Sequence, residues 1–228
     1  MTRQEAAHTH RIPLNRDRVL RAAVALADAT GIDALSMRRL AQELDVVPMA
    51  LYKHVGNKEE LLDGMLDTVV GEIDPPAEGP DWQSVVRARI LSARRVLLRH
   101  PWAARVIESR TGPTPAVLSY LDSMAGSFRE GGLSADLTHH VMHAMGSRLL
   151  GFSQELFDAS GPSGPPDPGL AASYPHIAEL AATATHDGSP TVGGGCDDQF
   201  EFEFALDLLL NGFESLRRQG WTSARAVD

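Results

Sequence analysis

The sequence predicts an all-α protein, with a small three-helix head at the N-terminus followed by a larger helical body, about ten helices in all. Three observations carry that prediction. Apolar residues recur three and four apart through almost every segment, the period of a helix with one buried face. Breaks rich in proline and glycine divide these segments into lengths suited to single helices. Residues 36–58, SMRRLAQELDVVPMALYKHVGNK, hold two short helices and a tight joint between them.

Residues 1–13 read as a flexible arm; Arg3, His10 and Arg11 could touch phosphates, but a frayed terminus without a role accounts for them better. Asn15 opens the first helix, Val19, Leu20, Ala23, Leu26 and Ala27 form its buried stripe, and Gly31 ends it. Ser36 caps a second helix that carries Leu40, Ala41 and Leu44 and stops near Asp45. Pro48 suits the first turn of a third helix, with Leu51 and Val55 on its apolar face. Leu35, Leu40, Leu44, Leu51 and Val55 are the expected core of the head. Two short helices joined by three or four residues make a helix-turn-helix, whose second member normally enters the DNA major groove. Asn57 and Glu60 approximate a capping box, so a fourth helix starts at Lys58 and runs to about Ile73. Its apolar positions, Leu61 to Val70, exceed what a small head covers, which implies contact with a second domain. Residues 14–73 are thus expected to form a DNA-binding domain with its linking helix, and DPPAEGP, residues 74–80, a break.

The body spans residues 81–220. Stops at His100 and Pro101, at 111–115 and at Gly131 and Gly132 divide helix five (Val85, Val86, Ile90, Val96, Leu97), a short helix six (Trp102, Val106, Ile107), helix seven after Thr114, and helix eight capped by Ser134. Helix eight carries Leu137, Val141, Met145, Leu149, Phe152 and Leu156 at helical steps. Residues 159–169 and 187–195 have the composition of mobile loops around a ninth helix at about 174–185. The last helix, 198–219, begins FEFEF, which alternates like a strand; Phe202, Leu206, Leu209, Phe213 and Leu216 continue at helical steps and favour helix.

The single cysteine, Cys196, leaves no internal disulfide or cysteine-based zinc site, and no stretch reaches the roughly 18 apolar residues of a membrane span. With no apolar leader in the opening residues, a soluble cytoplasmic protein is expected. Net charge is −9, yet residues 1–58 hold nine Lys and Arg against six Asp and Glu, while the remainder holds twelve against twenty-four. A basic head on an acidic body fits DNA binding at one end.

Residues 35–66, LSMRRLAQELDVVPMALYKHVGNKEELLDGML, resemble the helix-turn-helix and fourth-helix start of the tetracycline-repressor (TetR) family, above all in the run LYKHVGNK at 51–58. HPW at 100–102 and FEFALDLLLNGFESL near the C-terminus resemble, more weakly, that family's helical ligand-binding and dimerisation domain. The chain departs from the pattern at Asp45, where the family often has Gly, and at Val47, where it often has Ser or Thr.

The resemblance implies a docking face on duplex DNA. Ser36 caps the second helix; Arg38 at its start can fork onto a guanine edge. Pro48, Met49 and Ala50 are placed to pack on sugars or thymine methyl groups, and Lys53 to reach a phosphate or base. Tyr52 and His54 resemble the family's phosphate-contacting pair, and Lys58 is the expected phosphate anchor. One head reads few base pairs, so a two-fold dimer with third helices about 34 to 36 Å apart on a palindromic operator is expected. Helices at 134–158 and 198–219 are its candidate interface. For a small-molecule effector the candidates are Trp102, Arg105, His139, Met142, His143, Met145 and Phe152, each also explicable as core packing. His139 and His143 share a helix face but lack a third ligand, so neither a metal nor another cofactor is expected. The implied function is a ligand-responsive repressor. Two alternatives stay open: an activator without effector, and a small-molecule enzyme with an incidental helix-turn-helix, against which stands the absence of GxSxG, HExxH or a phosphate-cradling loop.

Overall fold

A computed structural model describes residues 13–151, 172–176, 179, 185–186, 189–190 and 198–224. The first twelve residues of the arm, Phe152, Leu156, the 159–169 loop and Cys196 lie outside the described residues. The chain groups into two compact units: Met1–Pro75 with Ser92–Asp122, and Pro76–Leu91 with Ser123–Asp228.

In the first unit, α1 (Arg16–Thr30) starts where the Asn15 side chain accepts a hydrogen bond from the Arg18 amide at 2.8 Å, and buries Val19, Leu20, Ala23, Val24, Leu26 and Ala27. Gly31, at φ 80°, turns the chain into a 3₁₀ turn, Ile32–Ala34. Ser36 Oγ accepts from the Arg39 amide at 3.2 Å and so caps α2 (Met37–Glu43). The end of α2 is a Schellman motif, in which the Val46 amide donates to Ala41 O and the Asp45 amide to Gln42 O. The residue inside such a motif must be left-handed, and Asp45 sits at φ 51°. Gly132 and Gly220 close two other helices with the same pair of bonds, so the helix-turn-helix joint uses aspartate where the rest of the chain uses glycine.

The third helix is shorter than its apolar spacing suggests. α3 is a single turn, Pro48–Leu51, and residues 52–54 form a turn rather than helix, because Tyr52 already closes the element and the His54 amide bonds back to Leu51 O. Leu51 and Val55 are nevertheless both buried, so the chain reaches the core from two points of a turn. α4 (Lys58–Val70) begins at Asn57, whose side chain accepts from the Glu60 amide at 2.8 Å, while Glu60 Oε2 accepts from the Gly56 amide at 2.8 Å. It ends three residues before Ile73: the amides of Glu72 and Ile73 bond to the carbonyls three residues back, tightening the chain into turns. Gly64 allows α4 to lie close on α1, since a Cβ there would stand 2.7 Å from a Leu20 methyl. All five expected core residues of the head are buried, and the core continues into Val96, Trp102, Ala103 and Val106 of the later helices. α5 (Trp82–Arg99) and α7 (Pro115–Glu130) each contribute to both units, with α6 (Trp102–Ser109) in the first.

The second unit holds α8 (Ala135–Gly151), begun by a bond from the Leu137 amide to Ser134 Oγ, and α9 (Asp198–Arg218), helical through FEFEF. Its core includes Val86, Ile90, Met124, Phe128, Leu137, Val141, Phe202, Leu206 and Leu210. The buried stripe of α9 steps by four from Phe202 to Leu206, Leu210 and Glu214; the expected Leu209, Phe213 and Leu216 are only half-buried. Two further expectations are corrected. Thr185 and His186 pair antiparallel with Ser189 and Pro190 as a two-residue ladder, so Thr185 does not end a helix and regular structure enters the segment read as a loop. Backbone pairing across a tight turn suffices for this, and needs no side-chain pattern that a sequence would display.

Glu214 ties this unit together. Its carboxylate accepts from Trp82 Nε1 at 3.0 Å, from Arg217 Nε at 2.7 Å and from Arg218 Nε at 2.7 Å. Hydrogen bonding from Arg217 above all, supported by Arg218 and Trp82 against the opposing effect of burial, holds its pKa at about 2, below the ordinary 4.5. A depressed carboxylate stabilises the fold above its unfolded pKa, and that contribution is lost as pH falls through the folded value. Thermal unfolding between pH 5 and 2 is therefore expected to show a falling melting temperature in the wild type. In Glu214→Gln the melting temperature should start lower at pH 7 and change less over that window.

Candidate nucleic-acid interface

The helix-turn-helix presents its polar and aromatic side chains outward. Ser36, Arg38, Pro48, Met49, Tyr52, Lys53 and Lys58 are exposed, and Ala50 and His54 are half-buried. Each is placed by a local device: the Ser36 cap sets the start of α2, the left-handed Asp45 turns the chain into α3, and the Asn57 cap places Lys58 at the first position of α4. Beside α3 lies an open hollow of about 700 Å³, whose lining includes Pro13, Arg18, Gln42, Asp45, Val47 and Ala50.

Electrostatics select this face from an acidic chain. Arg38, Lys53 and Lys58 make no ion pair with a described residue, whereas Asp33, Glu59, Asp63, Glu72 and Asp74 are met by arginines from the later part of the first unit. Arg95 pairs with Asp74 at 2.8 Å, Arg99 with Glu72 at 2.7 Å, and Arg105 with Asp33 at 2.9 Å. Arg110, largely buried, reaches both Glu59 at 2.5 Å and Asp63 at 3.3 Å. Further along, Asp67 accepts from the Ala116 amide at 3.2 Å. Glu59, Asp63 and Asp67 stand four apart and line one face of α4, so the 110–116 segment clasps that helix along two turns. At its other end, His100 bridges Asp28 (Nδ1, 2.8 Å) and Glu72 (Nε2, 3.2 Å), and Trp102 Nε1 donates to Asp28 at 2.6 Å. Burial works to raise the Glu72 pKa, but hydrogen bonds from Arg99 and His100 outweigh it and hold the carboxyl below its usual range.

Sequence reasoning missed this set. The four-residue spacing of Glu59, Asp63 and Asp67 was the available signal; their partners lie some fifty residues away, where no local pattern points to them. Of the candidate effector residues, Trp102 is buried on Asp28 and Arg105 is an exposed partner of Asp33. In the second unit Met145 is buried, Met142 half-buried, and His139 and His143 are exposed with ring centroids 4.7 Å apart. Among the described residues no three His, Cys, Asp or Glu side chains gather as a metal site, and no helix is long and apolar enough to cross a membrane.

Residues 19–65 match the family model for bacterial regulatory proteins of the tetR family, and residues 75–217 match the tetracyclin repressor-like C-terminal domain. The chain belongs to the TetR family. It is 31% identical over 90% of its length to the HTH-type transcriptional repressor DrrR1 of Streptomyces coeruleorubidus, covering 79% of that protein. An HTH-type transcriptional regulator of Saccharopolyspora erythraea is 43% identical over 46% of this chain, a match that spans only 45% of that relative. Among solved structures, apo ActR from Streptomyces coelicolor superposes with a TM-score of 0.71 at 28% identity, covering 92% of this chain and 99% of that one. ActR has also been solved in complex with actinorhodin; that structure has a TM-score of 0.67 at 29% identity and covers 90% of this chain and 98% of its own. The two domains of this TetR-family regulator are those of a ligand-responsive transcription factor that binds DNA.

Two tests address the interface. Lys58→Ala is expected to weaken binding to all duplexes and to reduce the salt slope by about 1, whereas Arg38→Ala should in addition relax preference at one base pair; both are read by fluorescence anisotropy on specific and random DNA. Arg110 is largely buried against Glu59 and Asp63 of α4, and Arg110→Gln tests that contact. It is expected to cost about 1 kcal/mol of stability and to weaken operator binding by roughly three- to tenfold through α4, with calorimetry and anisotropy measuring the two effects separately.

Proposed function

We propose that this regulator is a repressor that holds a palindromic operator as a homodimer and is released by a small organic effector bound in its helical body. The observation that carries the reading is the docking face itself: Arg38, Lys53 and Lys58 stand exposed around α3, while Asp33, Glu59 and Asp63 are engaged by Arg105 and Arg110. On this reading the effector favours a state in which the two heads no longer match successive major grooves. α4 carries the change, because its first residue is the phosphate anchor and its length is clasped by the 110–116 segment. A tenfold preference of the effector for the released state corresponds to about 1.4 kcal/mol. The actinorhodin complex of ActR makes actinorhodin and related fused-ring compounds the first effectors to try. A cytoplasmic location accompanies this role.

The dimer reading is supported by α9. Phe200, Phe204 and Leu208 are 47%, 55% and 58% exposed, and the two phenyl rings stack 6.5 Å apart. Gly212, one turn on, continues the stripe with open space where a side chain would stand. An apolar face of this length, left exposed beside the buried stripe of the same helix, is suited to burial against a second copy. Sedimentation at micromolar concentration should give a dimer mass for the wild type. Leu208→Glu, a change at an exposed position, should give a monomer that still folds and binds the operator at least tenfold more weakly; a wild-type monomer would overturn the dimer. For the whole reading, anisotropy on the DNA upstream of the protein's own gene should show sequence-preferring binding that falls steeply with salt. No preference over random DNA at moderate salt would reject a regulator and favour the enzyme alternative.

A further inference from the structure

Away from the docking face, the first unit holds a buried imidazole between two acids. His100, in the link from α5 to α6, is 7% exposed. Its Nδ1 lies 2.8 Å from Asp28 Oδ1, in α1, and its Nε2 lies 3.2 Å from Glu72 Oε2, in the turn after α4. An ionised carboxylate only accepts hydrogen bonds, and a neutral imidazole carries one N–H and one lone pair. In the neutral form the ring could donate to one of these acids and would turn its lone pair on the other. Both contacts are made at once only by the imidazolium, which donates from both nitrogens.

The surrounding groups keep the acids ionised. Asp28 Oδ1 also accepts from Trp102 Nε1 at 2.6 Å, and Glu72 Oε2 from Arg99 at 2.7 Å. Burial opposes ionisation of Glu72, but the bonds from Arg99 and His100 outweigh it and hold that carboxyl below its usual range. The nearby Asp74 has its own cation in Arg95, at 2.8 Å. Asp28 and Glu72 are therefore balanced by Arg99 and a charged His100, and loss of the ring proton would leave one negative charge over in a partly buried cluster.

We propose that His100 is a proton-operated clasp: as the imidazolium it ties α1 to the end of α4, and on losing its proton it releases Glu72, so that operator binding weakens as pH rises. The remaining proton stays on Nδ1, where the contact is shorter. The effect on DNA rests on the reading that Lys58, the first residue of α4, anchors the duplex. A cation that gains partners on folding contributes fully on the acid side, and its contribution is lost as pH rises. The Glu214 cluster runs the other way, losing its contribution as pH falls.

The test compares full-length wild type, His100→Gln and His54→Gln at constant salt from about pH 6 to about pH 9. Anisotropy on a selected operator should show wild-type affinity falling about fivefold over that range. His100→Gln should bind more weakly at the acid end and lose the fall. His54→Gln, which removes the histidine at the docking face, should keep the fall whatever its affinity. The wild-type melting temperature should also drop over the same range, and that of His100→Gln should not. Nitrogen-15 NMR of the wild type, which needs no variant to fold, should find protons on both His100 ring nitrogens at the acid end and on Nδ1 alone at the basic end. A singly protonated ring at the acid end, or a fall in affinity that persists in His100→Gln, would overturn the clasp. If no DNA sequence is selected at all, the docking reading and the effect on operator binding are rejected together, and an NMR titration as described upholds the bridge between α1 and α4 alone.

Discussion

Helix α4 must satisfy two neighbours at once, and the DNA-facing surface depends on how it does so. On one side it lies close against α1, where a Cβ at Gly64 would stand 2.7 Å from a Leu20 methyl and oblige that side chain to shift. On another, Glu59, Asp63 and Asp67 are drawn to Arg110 and to the first turn of α7. The first contact is apolar, short-ranged and tolerant of little displacement, since close-packed side chains resist small shifts. The second is ionic and partly exposed, so it is weaker and can give. The Asn57 cap and Lys58 stand at the end of this helix, and Gly56 is bonded to its first turn through Glu60. Any movement of α4 is therefore felt directly by the turn that follows α3.

An acidic protein binding a polyanion is explained by local neutralisation. Asp33 of the 3₁₀ turn, Glu59 and Asp63 of α4, and Glu72 and Asp74 after it are matched inside the first unit by arginines from α5, α6 and the loop beyond. At the surface of the helix-turn-helix Arg38, Lys53 and Lys58 stand exposed, beside the acidic Glu43 and Asp45. Net charge governs long-range repulsion, but a phosphate contact is made within a few ångströms, well inside the Debye length. The Glu214 cluster applies the same device in the second unit, where two arginines and an indole fix a carboxylate beside the core.

How legible this was from sequence depended on the range of each interaction. The caps at Asn15, Ser36 and Asn57, the proline at the start of α3 and the left-handed Asp45 are local, involving residues within about five positions, and all were readable. The length of α3 was not, because Leu51 and Val55 satisfy helical spacing whether or not the turn between them is a helix. In α9 the apolar content was evident, but two stripes compete for the core, and the choice of Phe202, Leu206 and Leu210 over Phe200, Phe204 and Leu208 is made by the helices it packs against. The clasp on α4 and the roles of Asp28 and His100 depend on pairs far apart in the chain. The partners of Trp102 and Arg105, Asp28 of α1 and Asp33 of the turn after it, were out of reach for the same reason.

The residues proposed to meet DNA are nearly all exposed, while the residues that hold the motif, Leu40, Leu44, Leu51 and Val55, are buried. Folding and reading thus draw on separate sets of atoms within the same twenty residues. A duplicated copy of such a gene could exchange positions 47, 49, 50 and 53 freely, acquiring a new address on the chromosome while its scaffold, its partner contacts and its response to a signal stayed as they were. The same separation makes the head a convenient chassis for building mutually blind genetic switches, since altering the alphabet it recognises leaves the hydrophobic frame beneath untouched.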